Sequence, residues 1–196
     1  MVAKPLPTGQ EPPRGYEALL ADLGKDYDAL RIDRVAATQL SSLEKREIKR
    51  IRDKAFALLR TASGAAELGF SFEDELALWP RGKDASDKLI YRGYYEGALC
   101  GYAVVVTGWP EPSSWTIQHI VVDPDYRHRG GGLYVVRAIE QDILETTEGI
   151  DELVSFPLAL TDNGFWPNLG FVKDKGMNVT WGGQDYMLEA YRKVIG

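Results

Sequence analysis

The sequence predicts an α/β domain, and three observations lead there. Strand-like segments over 89–95, 99–107 and 115–122 succeed one another across short turns. Residues 117–144 pass from a β-branched strand through a glycine turn into an apolar pattern with helical spacing. Residues 41–60 carry an apolar stripe of the same spacing. At 196 residues the chain suits one domain, or one domain with an appendage.

Composition narrows the classes of function. Hydrophobic content of 44% and charged content of 27% are ordinary for a soluble globular protein. The net charge of −6 argues against a general nucleic-acid binder, which carries a basic surplus. The lone Cys100 excludes an internal disulfide framework and fits a reducing compartment. No apolar run approaches the ~20 residues of a membrane helix. The first residues lack a signal-peptide core. A cytoplasmic protein is expected, with no nucleic-acid or membrane partner.

In chain order, residues 1–28 read as an N-terminal extension and 29–196 as the domain. Pro5, Pro7, Gly9, Pro12, Pro13 and Gly15 mark a loose arm, and 16–23 suits a short helix ending at Gly24. Residues 30–36 alternate loosely as a first strand. In 41–60, Ser41 and Glu44 have the capping-box spacing, and Leu43, Glu47, Ile48, Ile51, Ala55, Leu58 and Leu59 give most of the stripe. Lys45, Arg46, Lys49, Arg50, Arg52 and Lys54 crowd the other faces, as a solvated surface or a dock for an acidic partner.

Residues 61–69 read as a linker, 72–79 as a short helix closed by Pro80, and 83–87 as a polar loop. Strands 89–95 and 99–107 form a hairpin about Glu96-Gly97, with Cys100 as core packing. Strand 115–122 follows. After the central helix come a strand over 152–159, a short helix before Pro167, and strand-like pieces at 171–172, 177–181 and 186–191. The last of these suggest a hairpin around Gly182-Gly183.

The strand–turn–helix of 117–144 has the form of an anion site. The first N–H groups of a helix lack intrahelical acceptors, and the helix dipole favours negative charge there. Arg127 and Arg129 add positive charge. A P-loop needs lysine followed by Ser or Thr after its last glycine, and Leu133 stands there instead. The dinucleotide fingerprint needs a small residue where Val135 stands. What is left is Arg-x-x-Gly-x-Gly, filled by Arg127, Gly130 and Gly132. A plain chain-reversing glycine turn is the competing account.

Here the chain resembles the GCN5-related N-acetyltransferase (GNAT) superfamily. The resemblance lies in Val122-Asp-Pro-Asp-Tyr-Arg-His-Arg-Gly-Gly-Gly132, in the preceding hairpin with Gly97 and Gly101, and in 164–171, Gly-Phe-Trp-Pro-Asn-Leu-Gly-Phe. It is strongest over 88–171 and absent from the first 28 residues. It implies an acyl-CoA N-acyltransferase fold, a central twisted mixed sheet with helices on both faces. Strands 116–122 and 152–159 would splay, leaving backbone groups for the pantetheine amides of acetyl-CoA. The implied cofactor set is Ile120, Val121, Val122, Arg127, His128, Arg129, Gly130, Gly131, Gly132, Leu133 and Asn163. A solvent-facing role competes for one of the arginines, and a helix cap competes for Asn163.

The implied reaction is direct attack of an amine on the acetyl thioester in a ternary complex. It requires a deprotonated amine and an oxyanion donor. The sequence departs from the family pattern twice. Gln118 occupies the position of a common glutamate and cannot titrate. His119 is the candidate catalytic base, but strict alternation would put it on the face opposite Gln118; a buried structural role competes. Trp166 stands where a tyrosine usually protonates the thiolate, and indole cannot do so; it can pack on pantetheine or in the core. Water, or a tyrosine such as Tyr186, are the other candidates.

The two histidines have no ligand spacing with Cys100, so no metal is expected. The acceptor would be a small-molecule or peptide amine. Phe72, Glu73, Asp74, Glu75, Trp79, Trp109, Glu111, Trp115 and Trp181 are the acidic and aromatic candidates for holding a cation. A homodimer is left open. The rival readings are a non-catalytic acyl-CoA-binding or regulatory module and an interaction protein using the basic helix.

Overall fold

A computed structural model describes residues 30–63, 76, 83–127, 130–157, 164–181 and 184–195. Its centre is a seven-stranded sheet in the order β1-β2-β3-β4-β5-β7-β6. β1 is Leu30–Ala36, β2 Lys88–Tyr95, β3 Ala98–Thr107, β4 Ser114–Val122, β5 Glu152–Ser155, β6 Val172–Trp181 and β7 Gln184–Val194. All neighbours are antiparallel except β4 and β5, so the sheet is mixed. Against it pack the helices α1 (Ser42–Ser63), α2 (Gly131–Thr146) and the one-turn α3 (Phe165–Asn168).

α1 starts as its capping pattern predicts. The Ser41 N–H donates to Glu44 Oε2 at 2.8 Å, and the Glu44 N–H donates to Ser41 Oγ at 3.3 Å. Arg92 of β2 also donates to Glu44 and, at 2.8 Å, to Asp33 of β1. The two hydrogen bonds from Ser41, then that from Arg92, hold the Glu44 carboxyl down at about 2 from an ordinary 4.5. Ile48, Ile51 and Ala55 bury the helix's stripe against Ile90, Leu99, Tyr102, Val104 and Val121.

α2 and α3 cover the opposite face. Leu133, Val135, Val136, Ile139 and Ile143 of α2 meet Tyr91, Ala103, Val105, Trp115, Ile117 and Leu153, with Trp166, Leu169 and Phe171 beside them. Each of β2 and β3 divides its residues between these cores by the two-residue period of a strand. The hairpin between them turns at Glu96 (φ 49°) and Gly97 (φ 83°), both left-handed as a two-residue hairpin turn requires. Gly101 has its own reason to be glycine: a Cβ there would stand 2.8 Å from the Val121 carbonyl oxygen of β4.

Several expected boundaries shift. α1 runs on to Ser63. β6 is one strand over 172–181 because a bulge between Asp174 and Met177 absorbs its polar middle. α3 contains Pro167, which the first turn of a helix accepts because its N–H would have no partner there. β5 ends at Ser155, short of the expected 159. The expected helices at 16–23 and 72–79, the arm over 1–28, and the turn at Gly182-Gly183 lie outside the described residues, save Leu76 and strand residues at the margins.

Candidate functional site

The site starts where the β4–β5 ladder stops. Four pairs join them, from Ser114↔Glu152 to Ile117↔Ser155. Beyond Ile117, β4 continues through Val122 with no partner on that side among the described residues. Toward β3 the same residues stay paired, Ile120 to Ala103, Val121 to Tyr102 and Val122 to Gly101. Among the described residues, the backbone groups of Ile120–Val122 on the β5 side have no strand partner, an edge that suits an extended ligand.

A bulge sits at the same point. Val105 pairs with Ile117 and Val104 with His119, so Gln118 is the inserted residue. An extra residue reverses the phase of a strand. Trp115 and Ile117 lie in the core under α2, whereas Val121 lies in the core under α1. His119 shares Val121's face, its ring edge-on to Tyr102 at 5.6 Å between centroids. The phase of the strand therefore flips between Ile117 and His119, across the inserted Gln118.

The chain then turns. Asp123 is 2% exposed; its N–H donates to the Cys100 carbonyl at 2.8 Å, and its carboxylate accepts from the Asp125 N–H at 3.1 Å. Lys54 of α1 reaches across to Asp123 at 2.7 Å and Asp125 at 2.5 Å, and Arg50 approaches Asp123 at 3.6 Å. Burial opposes ionisation of Asp123, but the Lys54 hydrogen bond and the Asp125 N–H outweigh it and hold the carboxyl below its usual range. Those same two aspartates raise the Lys54 ammonium. α1 is thus tied to the turn that precedes α2.

At the end of that turn Arg127 is exposed, closing a 3-10 turn over Pro124–Tyr126. Gly130 follows in the left-handed region (φ 76°) as the N-cap of α2, with no side chain capping the helix. The first intrahelical bond runs from the Tyr134 N–H to the Gly130 carbonyl, leaving the N–H groups of Gly131, Gly132 and Leu133 without helical acceptors. A Cβ at Gly131 would meet nothing within 4 Å among the described residues. A Cβ at Gly132 would meet Phe165 Cε2 and Cζ at 3.3 Å, so that glycine also seats α2 on α3.

An uncapped sixteen-residue helix next to an open strand edge fits the pyrophosphate and pantetheine of acetyl-CoA. The structure brings Ile120, Val121, Val122, Arg127, Gly130, Gly131, Gly132 and Leu133 into this one segment, although the Leu133 side chain is core and only its N–H is available. His128, Arg129 and Asn163 lie outside the described residues.

Of the acceptor candidates, Trp115 is corrected. It is 5% exposed beneath α2, because its position before the bulge sends it to that core. Trp109 is half-buried and packs on Phe156 at 5.2 Å, and Glu111 is exposed. Phe72, Glu73, Asp74, Glu75 and Trp79, with the side chains of Trp181 and Tyr186, lie outside the described residues. Trp166 is 6% exposed between Phe165 and Phe171, in the core of the α2 face. Cys100 is buried, as expected, its thiol donating to the Gly93 carbonyl.

Sequence reasoning missed the Gln118 bulge and the Lys54–Asp123 tie. Asp123 before Pro124 is a legible cap, but its partner stands 69 residues away. Among the described residues no helix is long and apolar enough to cross a membrane.

Comparison with known proteins bears on the same segment. The model of the acetyltransferase (GNAT) family matches residues 53–171. The fold is similar to that of a GNAT-family protein from Desulfovibrio desulfuricans, at 16% identity over 86% of this chain and 100% of that one, with a TM-score of 0.60. It is also similar to the ribosomal-protein-S18-alanine N-acetyltransferase of Escherichia coli, at 14% identity over 85% and 95%, TM-score 0.57. A Salmonella typhimurium protein whose structure contains its cofactor acetyl-CoA matches at 16% identity over 86% and 95%, TM-score 0.56. No curated protein sequence matches the chain.

Proposed function

The chain belongs to the acetyltransferase (GNAT) family, and from that premise we propose that it moves an acetyl group from acetyl-CoA to an amine of a small molecule or peptide. One observation supports this reading above the others: the β4–β5 ladder ends at Ile117↔Ser155, while β4 runs on unpaired on that side among the described residues to Val122 and the turn that leads into an uncapped helix N-terminus. Under this reading, the open edge of Ile120–Val122 holds the pantetheine amides. The N–H groups of Gly131, Gly132 and Leu133 hold the pyrophosphate at the Gly130 turn, with Arg127 adding charge. His128, Arg129 and Asn163 complete the set from sequence alone. Bound there, acetyl-CoA supplies an activated acetyl thioester.

The chain's own contribution is to hold the amine and take its proton. His119 is the proposed base. The bulge turns it to the face shared by Tyr102 and α1, away from the side on which α2 and α3 pack. Trp166 packs in the core and carries no acidic proton, so the departing thiolate takes its proton from elsewhere. A second reading, a non-catalytic acyl-CoA-binding module, draws on that buried indole and the untitratable Gln118. We assign the acetyltransferase domain to 29–196 and, from the buried lone cysteine, place the protein in the cytoplasm.

A thermal-shift titration with CoA and acetyl-CoA, then an amine screen read by free-thiol release, tests the proposal. Stabilisation by acetyl-CoA with amine-dependent thiol release is expected, and His119→Ala should lower kcat by roughly 10²-fold or more. No stabilisation by either ligand would remove the reading. Stabilisation without thiol release from any amine would favour the non-catalytic module.

A further inference from the structure

Gln118 carries more than a place in the register. It is the inserted residue of the β4 bulge and the first residue past the last β4–β5 pair. Its side-chain carbonyl oxygen, Oε1, is buried and has no hydrogen-bond partner. Leaving a buried amide oxygen without a donor forfeits its hydration with nothing in return, so a protein seldom keeps one idle. Its neighbour in the bulge, His119, is the proposed base. An orphaned acceptor beside a base, where the sheet opens, suits a ligand that brings an N–H.

We propose that Gln118 Oε1 accepts a hydrogen bond from the acceptor nitrogen, and that the acceptor is a low-pKa amine, the α-amino group of a peptide. This rests on the acetyltransferase reading above.

The class of amine follows from charge. Gln118 is neutral, and His119 is neutral or cationic. Neither residue of the bulge offers an alkyl ammonium a negative partner, which suits an amine that arrives uncharged. At about pH 7.5 an α-amino group (~7.8) is roughly one-third neutral, whereas a lysine ε-amine (~10.4) is neutral in about one molecule in a thousand. The site thus meets roughly three hundred-fold more attackable α-amine than ε-amine at equal concentration. Once neutral, that amine has an N–H to give to Oε1 and a lone pair for the thioester carbonyl. Its excess proton passes to His119 as the C–N bond forms and the C–S bond breaks.

The test uses the full chain with two peptides of equal length: one with a free α-amine and no lysine, the other Nα-blocked with one lysine. Peptide dissociation constants are measured by calorimetry with CoA present, and turnover by thiol release. The wild type should favour the free α-amine by ~100-fold or more in kcat/KM. Gln118→Leu should raise the α-amine peptide's dissociation constant and KM by ~3- to 10-fold, the loss of one hydrogen bond, while acetyl-CoA stabilisation is kept. Gln118→Glu keeps an acceptor oxygen at both side-chain positions, so it should retain peptide binding and narrow the preference by admitting the ε-amine.

Loss in Gln118→Glu equal to that in Gln118→Leu would overturn the proposal, since it would mean that the carboxamide donates. So would unchanged peptide binding in Gln118→Leu, a wild-type preference for the ε-amine, or transfer to neither peptide while acetyl-CoA still stabilises the protein. Absence of acetyl-CoA stabilisation in the wild type would instead bring down the underlying reading and this inference with it. Melting of each variant without ligand confirms that it folds.

Discussion

Gly131 and Gly132 stand side by side at the start of α2, yet the structure gives their missing side chains different neighbours. Among the described residues a Cβ at Gly131 meets nothing within 4 Å, and one at Gly132 meets the Phe165 ring at 3.3 Å. Gly131→Leu should therefore leave the ligand-free protein at least as stable as before. Replacing glycine in a helix gains at most ~1 kcal/mol in propensity, less at its first position, or ~2–4 °C for a domain of this size. Gly132→Leu receives a similar gain but forces the ring aside. Overpacking costs ~1–3 kcal/mol, so its melting temperature should fall by up to ~8 °C.

With acetyl-CoA at about a hundred times its dissociation constant, the wild type should gain ~2.7 kcal/mol by mass action. Gly131→Leu should lose most of that gain, because a bulky side chain on the first residue of the helix crowds an anion held by its N–H groups. Differential scanning fluorimetry with and without acetyl-CoA reads both quantities. A Gly131→Leu protein that melts like the wild type and keeps its full ligand shift would refute the assignment of the pyrophosphate to this helix end.

Other consequences follow from the same contacts. Glu44 titrates at about 2 instead of 4.5. A depressed carboxyl contributes stability that is complete above the ordinary value and fades as pH falls toward 2. Acid melts of the wild type should therefore steepen below about pH 4.5, and Glu44→Gln should flatten that limb; parallel curves would refute the capping account. Trp166→Ala should cost ~3–5 kcal/mol, read as a loss of ~6–20 °C on melting, because the indole fills the core between Phe165 and Phe171. Lys54→Met frees the turn from α1 and should weaken acetyl-CoA binding by roughly two- to fivefold with kcat unchanged, and Lys54→Arg should restore it. Equal affinities in all three proteins would show that the tie does not position the turn.

By itself, the sequence determined what depends on near neighbours. The Ser41–Glu44 cap, the Glu96-Gly97 hairpin and the glycine turn at 130–132 are local features, each recoverable from a few residues whose backbone needs differ from the rest. The apolar stripe of α1 and the strand run of β2–β4 were legible because burial imposes a period. With them, the resemblance of residues 122–132 and 164–171 to the GNAT pattern suggested the fold, and with it the segment where acetyl-CoA is proposed to bind.

Tertiary structure decided what depends on register and on distant partners. A bulge leaves no period of its own in the sequence; it exists because β3 closes on β4 with one residue fewer. That missing residue sends Trp115 into the α2 core, brings His119 to the α1 face, and leaves the Gln118 oxygen buried without a donor. Likewise the pull of Lys54 on Asp123, and the Phe165 ring against Gly132, join residues far apart in the chain. Local propensities do not encode such pairings, because their energies arise only when packing brings the partners within reach.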